Sequence, residues 1–295
     1  MKAAPFTYAR ATTVDEACEM LAADDGARLI AGGQTLVPMM AMRLARPTRL
    51  IDINRIASLS YVREGSGVVV IGATTRQWVI ERDKLVATRL PLLSKAMPFI
   101  GHAATRARGT IGGSLAHADP AAELSLVTVT LDATMVYRTK GADAEMPARE
   151  FFAGLMMTNL PDGACLTAVR FPVWHGERTG VGFHEVNARR SDFAFVSAAA
   201  QVELDGAGKC KRIAVGVGAA THTPLRLDAV EKELAGGTLD EKSVRNAVRS
   251  ALADIEPLVD LHASAEYRRR AAAALAMRAI ADAKADAMGR KTHAH

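Results

Sequence analysis

Two glycine-bearing stretches have the residue types to bind a phosphate group. They read LIAGGQTLVPMM at residues 29–40 and RGTIGGSLAHADPAAEL at residues 108–124. Glycine lets backbone N–H groups approach an anion closely, and it tolerates the positive φ angles that turn successive N–H groups toward one ligand. Paired glycines also make simple tight turns, and one such stretch alone would favour that interpretation. Two stretches of like composition, each following an apolar run, favour a dinucleotide.

The residue spacing within these stretches and the cysteine content limit the kinds of cofactor that this chain is expected to bind. Neither stretch matches the P-loop, G-x-x-x-x-G-K-[ST], or the Rossmann fingerprint, G-x-G-x-x-G, which disfavours those two nucleotide-binding classes. The three cysteines, Cys18, Cys165 and Cys210, are far apart and form no C-x-x-C pair. Because an iron–sulfur cluster normally takes four cysteine thiolates, any such centre is expected on another chain, and no metal site is predicted here.

Composition and charge limit the protein class. The chain has 295 residues, of which 49% are hydrophobic, enough for two domains with apolar cores. Its formal charge of +5 comes from cations scattered among 32 acidic residues, a pattern that disfavours nucleic-acid binding. No stretch approaches the roughly 20 apolar residues of a membrane span, and the N-terminus lacks a long apolar signal region. We expect a cytoplasmic protein.

Elements predicted from the sequence alternate between helices and strands. Capping-box patterns at residues 13–16 and 238–241 predict one helix at the N-terminus and another that runs to about residue 255. A long helix is predicted at 264–288, and a tail is predicted after it at 289–295. Helices interrupted by prolines are predicted at 75–99. Strands are predicted in the segments 27–33, 48–53, 67–73, 193–204 and 211–220 and at the end of 150–173; further apolar runs occupy 124–133 and 134–138. The polar segment 174–180 is a candidate linker, so the sequence predicts two α+β domains divided near residue 176.

Four segments resemble one family of flavoproteins. AGGQTLVPMMAMRLARPTRLIDINRI (31–56) and IGHAATRARGTIGGSLAHADPAAEL (100–124) look like the signature segments of the FAD-carrying medium subunit of molybdenum hydroxylases, the xanthine oxidase and carbon monoxide dehydrogenase family. RRSDFAFVSAAAQVEL (189–204) and SAEYRRRAAAALAMRAI (264–280) resemble parts of its C-terminal domain. The resemblance implies an FAD-binding fold of the vanillyl-alcohol oxidase (PCMH) type at 1–176, with subdomains of about 1–56 and 57–176. A smaller α+β domain of the carbon monoxide dehydrogenase flavoprotein type is implied at 177–288.

The resemblance also implies the residues that contact FAD. The first stretch is expected to hold the pyrophosphate, the second to form another loop against it, and the remaining residues to lie around the cofactor; none is expected to be an acid–base catalyst, because the redox chemistry belongs to the flavin. The expected cofactor-binding residues are Leu29, Ile30, Ala31, Gly32, Gly33, Gln34, Thr35, Leu36, Ile100, Thr110, Ile111, Gly112, Gly113, Ser114, His117, Asp119, Glu123, Leu166 and Glu185.

One position departs from the family pattern. Relatives often have a lysine seven residues before the aspartate of the D-[FY]-A motif, whereas here that aspartate is Asp192 and the earlier position is Glu185. An acid beside the flavin N1 and O2 should disfavour an anionic reduced flavin and lower the potential. Alternatively Glu185 points away, and His184 or Arg189 supplies the charge. The electron acceptor stays open.

The resemblance finally implies a role within a complex. A large partner with a molybdopterin cofactor oxidises the substrate, and a small partner passes electrons through two [2Fe-2S] clusters to FAD on this chain, in a dimer of heterotrimers. Two alternatives remain: a free-standing FAD-dependent oxidase or dehydrogenase, and a scaffold subunit that has lost FAD. The first would need an acid–base set in the C-terminal domain, where none is evident; intact glycine pairs disfavour the second.

Overall fold

The computed structural model describes residues 2–139 and 141–289, and its first unit is a small parallel sheet with two helices. The strands are all parallel, in the order β1-β3-β2. Thr13 caps α1 as predicted, since its hydroxyl accepts the Glu16 N–H at 3.1 Å. The Glu16 carboxylate accepts the N–H of Thr12, at 2.7 Å, rather than that of Thr13. The elements are β1 (Thr7–Arg10), α1 (Val14–Ala22), β2 (Ala27–Ile30), α2 (Leu36–Ala41) and β3 (Arg49–Asp52).

The second unit is built on a five-stranded antiparallel sheet. Its strand order is β4-β5-β10-β6-β7, and β8 and β9 form a separate hairpin. The elements are β4 (Val62–Gly65), β5 (Val68–Gly72), α3 (Gln77–Arg82), α4 (Lys84–Arg89), α5 (Pro91–Ala96), α6 (Ala103–Arg108), α7 (Ile111–His117), α8 (Glu123–Thr130), β6 (Thr134–Thr139), β7 (Ala142–Pro147), α9 (Ala148–Phe151), β8 (Phe152–Gly154), β9 (Met157–Thr158) and β10 (Cys165–Pro172). Two short 3₁₀ helices, Ala57–Leu59 and Met97–Phe99, complete it.

Local signals explain how the helices of this unit are divided. Asp83 ends α3 and caps α4 by accepting the N–H groups of Leu85 and Val86, and Pro91 opens α5 at its first position, where its missing N–H costs no helical hydrogen bond. The apolar run at 124–133 is rich in Val and Thr, residues common in strands. It nevertheless forms α8, every residue of which is buried. Burial on all sides removes the polar face that would reveal a helix in the sequence.

The third unit packs a four-stranded antiparallel sheet, β11-β12-β13-β14, on a long helix. At Gly180 and Gly182 an added Cβ would lie 2.2 Å from the Ala283 carbonyl oxygen and 2.0 Å from that of Ala279, so the absence of side chains brings the strand against the helix backbone. The elements are β11 (Thr179–Val186), β12 (Val196–Leu204), β13 (Cys210–Gly218), β14 (Leu225–Arg226), α10 (Asp228–Leu234), α11 (Glu241–Ala251) and α12 (Ala265–Gly289).

Several predicted boundaries are corrected here. The second capping box is wrong: α11 is capped by Asp240, which accepts the N–H groups of Lys242 and Ser243, and it ends at Ala251 rather than near residue 255. The candidate linker 174–180 overlaps β11, which begins at Thr179. The predicted tail lies outside the described residues except for Gly289, which ends α12.

The sheet of the third unit has two differently packed faces. One face contributes Val196 and Ala198 to a core shared with α12. The opposite face contributes Val181, Phe183 and Ala199 to the apolar core of the second unit. The two units therefore meet along a buried seam, and the prediction of an α+β fold is confirmed. None of the helices in the two described ranges is long and apolar enough to cross a membrane.

Candidate functional site: two glycine stretches and the seam beside them

The first glycine stretch connects a strand to a helix. Leu29 and Ile30 end β2, residues 31–35 form the connection, and Leu36 begins α2. Gly33 has φ +69°, and Thr35 has right-handed helical angles, so the backbone changes hand within a few residues. This alternation turns successive N–H groups toward one side, the arrangement that binds anions in many proteins.

The backbone donors of this connection are unused. Among the residues that the structure describes, the N–H groups at positions 32–36 have no hydrogen-bond acceptor. The surrounding polar contacts involve other atoms: the Gln34 amide donates to the Gly32 carbonyl oxygen at 3.2 Å, and Asn54 Nδ2 donates to that of Ala31 at 2.8 Å. Five consecutive unpaired donors at the start of a helix form a site suited to a phosphate.

The second glycine stretch is a helix and not the predicted loop. Thr110 is the N-cap of α7, and the glycine pair lies in the first turn. The N–H groups of the four residues after the cap all have acceptors within the protein. These are Ile111 N–H to Thr75 O at 3.2 Å, Gly112 N–H to Ala73 O at 2.8 Å, Gly113 N–H to Thr110 Oγ1 at 3.1 Å and Ser114 N–H to Thr110 O at 3.2 Å. The expectation that these N–H groups are free for a phosphate is therefore wrong.

The two glycines of the pair have different physical roles. Gly112 is buried, and an added Cβ would lie 2.6 Å from the Ala73 Cβ, so its lack of a side chain lets α7 pack against the end of β5. Gly113 is exposed, and its added Cβ would meet only Thr110 Oγ1, at 2.8 Å. The bare surface that a ligand could approach is thus the one at Gly113, with the half-buried Ser114 next to it.

Folding brings the two stretches into contact although about 80 residues separate them. An added Cβ on Gly32 would lie 2.4 Å from the Arg108 carbonyl oxygen and 2.9 Å from the Gly109 Cα. Arg76 links both sides, because its guanidinium donates to the Arg108 carbonyl oxygen and, at 2.7 Å, to Asn54 Oδ1. Asn54 in turn holds the Ala31 carbonyl.

Arg76 and Asn54 were not predicted as site residues. Asn54 lies within the signature segment 31–56, but nothing in the sequence distinguishes Arg76 from other arginines. Burial and the neighbouring charge of Arg108 lower the pKa of Arg76. The guanidinium stays protonated at neutral pH, since arginine does not deprotonate in proteins. It therefore places a fixed positive charge beside the two stretches.

Other predicted residues lie around the second stretch and the core. Ile100 is 7% exposed and Leu166 5%, and both belong to the apolar cluster of the second unit. His117 is the half-buried last residue of α7. Asp119 lies two residues later and accepts the Ala121 N–H at 2.8 Å, so its carboxylate stabilises the turn that begins there.

A cavity of about 370 Å³ lies where the second and third units meet. Asp119 and Pro120 line one side, Arg189 and Phe193 another, and His262 and Arg268 a third. Arg268 is 3% exposed and donates to the carbonyl oxygens of Phe195 and Ala219 and to Asp260. The Phe193 side chain is 74% exposed at the rim.

Glu123 is buried and Glu185 half-buried, and neither forms an ion pair with a cation among the described residues. Glu123 is the first residue of α8 and is 8% exposed; burial, together with the charge of Asp119, raises its pKa to about 7. Burial and the nearby Glu123 raise the pKa of Glu185 to about 8. The two residues proposed as alternative sources of charge pair elsewhere: His184 with Asp282 at 2.9 Å and Arg189 with Asp192 at 3.0 Å.

The comparisons with known proteins agree with this arrangement. A family described as "FAD binding domain in molybdopterin dehydrogenase" matches residues 4–174, and one described as "CO dehydrogenase flavoprotein C-terminal domain" matches residues 182–283. The chain is 36% identical over 285 residues to the 6-hydroxypseudooxynicotine dehydrogenase complex subunit alpha of Paenarthrobacter nicotinovorans, covering 96% of each. It is 32% identical to the carbon monoxide dehydrogenase medium chain of Hydrogenophaga pseudoflava, over 93% of this chain and 96% of the relative.

Solved structures share the whole architecture. The chain superposes on quinoline 2-oxidoreductase from Pseudomonas putida 86 with a TM-score of 0.92 at 33% identity, covering 98% of this chain and 100% of the other. Carbon monoxide dehydrogenase from Hydrogenophaga pseudoflava gives a TM-score of 0.93, also at 33% identity, over 97% and 99%. The resemblance identified in the sequence is confirmed: this chain belongs to the FAD-binding subunits of the molybdenum hydroxylase family, with an FAD-binding domain followed by a flavoprotein C-terminal domain.

Proposed function

We propose that this chain is the electron-transfer subunit of a heterotrimeric molybdenum hydroxylase or dehydrogenase, taking electrons from a [2Fe-2S] partner and passing them to an external acceptor. The observation that carries the proposal is the run of unpaired N–H donors at residues 32–36, held against the Arg108–Gly109 backbone. Such donors suit the diphosphate of a dinucleotide, and the family match makes FAD that dinucleotide.

The residues present fit FAD: the first stretch offers free donors, as the sequence predicted, whereas the second offers a bare surface instead of a loop of free N–H groups. The N–H groups of residues 32–36 would hold the diphosphate, with the Arg76 charge nearby. Gly113 and the Ser114 hydroxyl would present the second surface, and Ile100 and Leu166 would supply apolar contacts. A bound FAD supplies one- and two-electron chemistry that side chains lack. The chain binds and orients it and sets the surrounding charge; His117 and Asp119 are assigned no acid–base step.

The proposed partners follow from what this chain lacks and exposes. Its three cysteines are free and buried in the described structure, with Cys18 and Cys165 in one apolar cluster and Cys210 in another, so four thiolates cannot meet and the [2Fe-2S] clusters would belong to a small partner. A large partner would carry the molybdopterin cofactor and the substrate site, in a dimer of heterotrimers. Leu155, Met156 and Met157 expose apolar side chains on and beside the β8–β9 hairpin, the kind of surface that partners cover. Free cysteines also fit a cytoplasmic location.

The test is to purify the chain together with the products of neighbouring reading frames. We expect a yellow complex with stoichiometric FAD, absorbing near roughly 450 nm, whose flavin is reduced by the substrate only when both partners are present. Substrate turnover by the isolated FAD-loaded chain would instead favour a free-standing oxidase or dehydrogenase. A colourless complex, folded and unable to take up added FAD, would favour a scaffold subunit.

A further inference from the structure

Two acidic side chains are placed on the buried seam between the second and third units. Along β11, Gly180, Gly182 and His184 face α12, whereas Val181 and Phe183 face the second unit. Because side chains alternate along a strand, Glu185 follows Val181 and Phe183 onto the second-unit face. A carboxyl group therefore ends an otherwise apolar row.

Strand register brings Glu185 to the N-terminal end of α8. Glu185 pairs with Ser197 of β12, which pairs with Gly218 of β13. An added Cβ on Gly218 would lie 2.7 Å from Ser197 Oγ and 3.3 Å from the Cβ of Leu126, so this end of the sheet contacts α8. Glu123 begins that helix one turn before Leu126. The two carboxyl groups thus share one end of the seam.

Few hydrogen bonds stabilise these carboxyl groups as anions. Asn187 Nδ2 donates to Glu185 Oε1 at 2.8 Å, but Glu185 Oε2 is buried and has no partner among the described residues. The Ser197 hydroxyl is also buried and has no hydrogen-bond partner among the residues that the structure describes. A buried carboxylate oxygen without a donor is costly, whereas a protonated carboxyl can itself donate a hydrogen bond.

No cation faces the pair from the packed elements within the described chain. Lys95 of α5 is exposed, and no ion pair joins a cation to Glu123 or Glu185. On the α12 side, Asp282 is paired with His184. Asp119 adds further negative charge before α8.

The two arginines that line the cavity at this end of the seam already have partners. Arg189 is exposed and pairs with Asp192, and Arg268 binds backbone carbonyls and Asp260. His117, at the end of α7, forms no ion pair in the described structure. Two like charges in one buried place cannot both ionise readily, as in other carboxylate pairs.

We propose that Glu123 and Glu185 share one proton and act as a proton-holding pair beside the cavity between the two units. At neutral pH the pair keeps at least one of its two protons. When electrons from the partner subunit add negative charge to the proposed FAD site, the ionised carboxylate of the pair takes one proton from water. The carboxyl group releases that proton to water when the electrons leave. Only the O–H bond of the carboxyl group forms and breaks. The link to electron transfer rests on the proposed function; the proton sharing does not.

The proton sharing is tested on the full chain by infrared spectroscopy of the carboxyl groups against pH. In the wild type we expect a protonated-carboxyl band at neutral pH that disappears in two steps, near pH 7 and pH 8. Glu123→Gln removes the step near pH 7 and moves the Glu185 step to lower pH, because Glu185 then no longer ionises beside a charged Glu123. Glu203→Gln is the matched control: Glu203 is 7% exposed, as buried as Glu123, but it pairs with Lys211 at 2.6 Å.

The outcomes separate this inference from the proposed function. If both carboxyls are fully ionised at about pH 6, or if Glu123→Gln leaves the Glu185 step in place, the proton sharing is refuted. Should Glu123→Gln not fold, Glu185→Gln must remove the step near pH 8 and leave one carboxyl step near pH 7, and survival of both steps refutes the assignment. In the FAD-loaded complex, the midpoint potential of wild type should depend more steeply on pH than that of Glu185→Gln between about pH 6 and 8. If the midpoint potentials of wild type and Glu185→Gln depend equally on pH, the link between the pair and electron transfer is refuted, but the proton sharing is not. If the complex holds no FAD, the proposed function is refuted, and the infrared test of proton sharing is unaffected.

Discussion

Gly32→Ala tests whether contact between the two glycine stretches builds the site. The added Cβ would lie 2.4 Å from the Arg108 carbonyl oxygen and within 3.0 Å of the carbons beside it. Ordinary contact needs roughly 1 Å more than the 2.4 Å available, and the obstacle is backbone that Arg76 and Asn54 hold in place. Overpacking of this kind costs about 1–3 kcal/mol of unfolding free energy.

The same shift should weaken cofactor binding. Moving the connection by about 1 Å misaligns donors at residues 32–36, and losing one hydrogen bond to a charged group costs about 1.5–3 kcal/mol. That corresponds to roughly 10- to 150-fold weaker FAD binding, since about 1.4 kcal/mol is a factor of ten. The measurements are FAD titration of the apoprotein, followed by flavin fluorescence quenching, and urea unfolding of the same samples.

A second glycine variant provides the control. Gly206→Ala adds the same methyl group at a position where nothing lies within 4 Å, and it should bind FAD and unfold like the wild type. If Gly32→Ala matches Gly206→Ala in both measurements, the contact with the Arg108–Gly109 backbone does not position the donors, and the reasoning behind the site is refuted.

Three further predictions concern other parts of the fold. Gly182→Ala should destabilise the chain by about 1–3 kcal/mol in urea unfolding, because its Cβ would lie 2.0 Å from a carbonyl oxygen of α12; unchanged stability would contradict that packing. Thr110→Ala should cost about 0.5–2 kcal/mol by removing the cap on the Gly113 N–H, whereas Thr110→Ser should retain most of the stability; equal losses would exclude capping as the cause. Burial raises the pKa of Glu123 from 4.5 to about 7, so the folded state binds its proton more tightly than the unfolded state. This stability contribution is therefore present below pH 4.5 and lost as pH rises through about 7. Unfolding at several pH values should show a smaller decline for Glu123→Gln than for the wild type, and parallel curves would show that Glu123 does not titrate in this range.

The sequence predicted those elements that local signals mark. The Thr13 cap, the strand before Gly32 and the long helix over 264–288 were all recognisable, and the structure places them at Val14–Ala22, Ala27–Ile30 and Ala265–Gly289. The site residues named from the resemblance lie around two contacting stretches and a nearby seam. Arg76 was missed because its role depends on the Arg108 carbonyl oxygen and the Asn54 amide oxygen, and only folding brings these two atoms near it.

The sequence by itself determined the two glycine pairs, the family, and elements with local signals such as α1, β2 and α12, because capping residues, periodicity and motif spacing are local properties of the chain. Tertiary structure alone decided which glycine pair offers free donors. Residues 32–36 have no acceptors in the described structure, whereas the N–H groups after Thr110 are used by Thr75, Ala73 and Thr110 itself. It also decided that Glu185 lies near Glu123, because strand register and the packing of α8 on the sheet join residues that are distant in the chain.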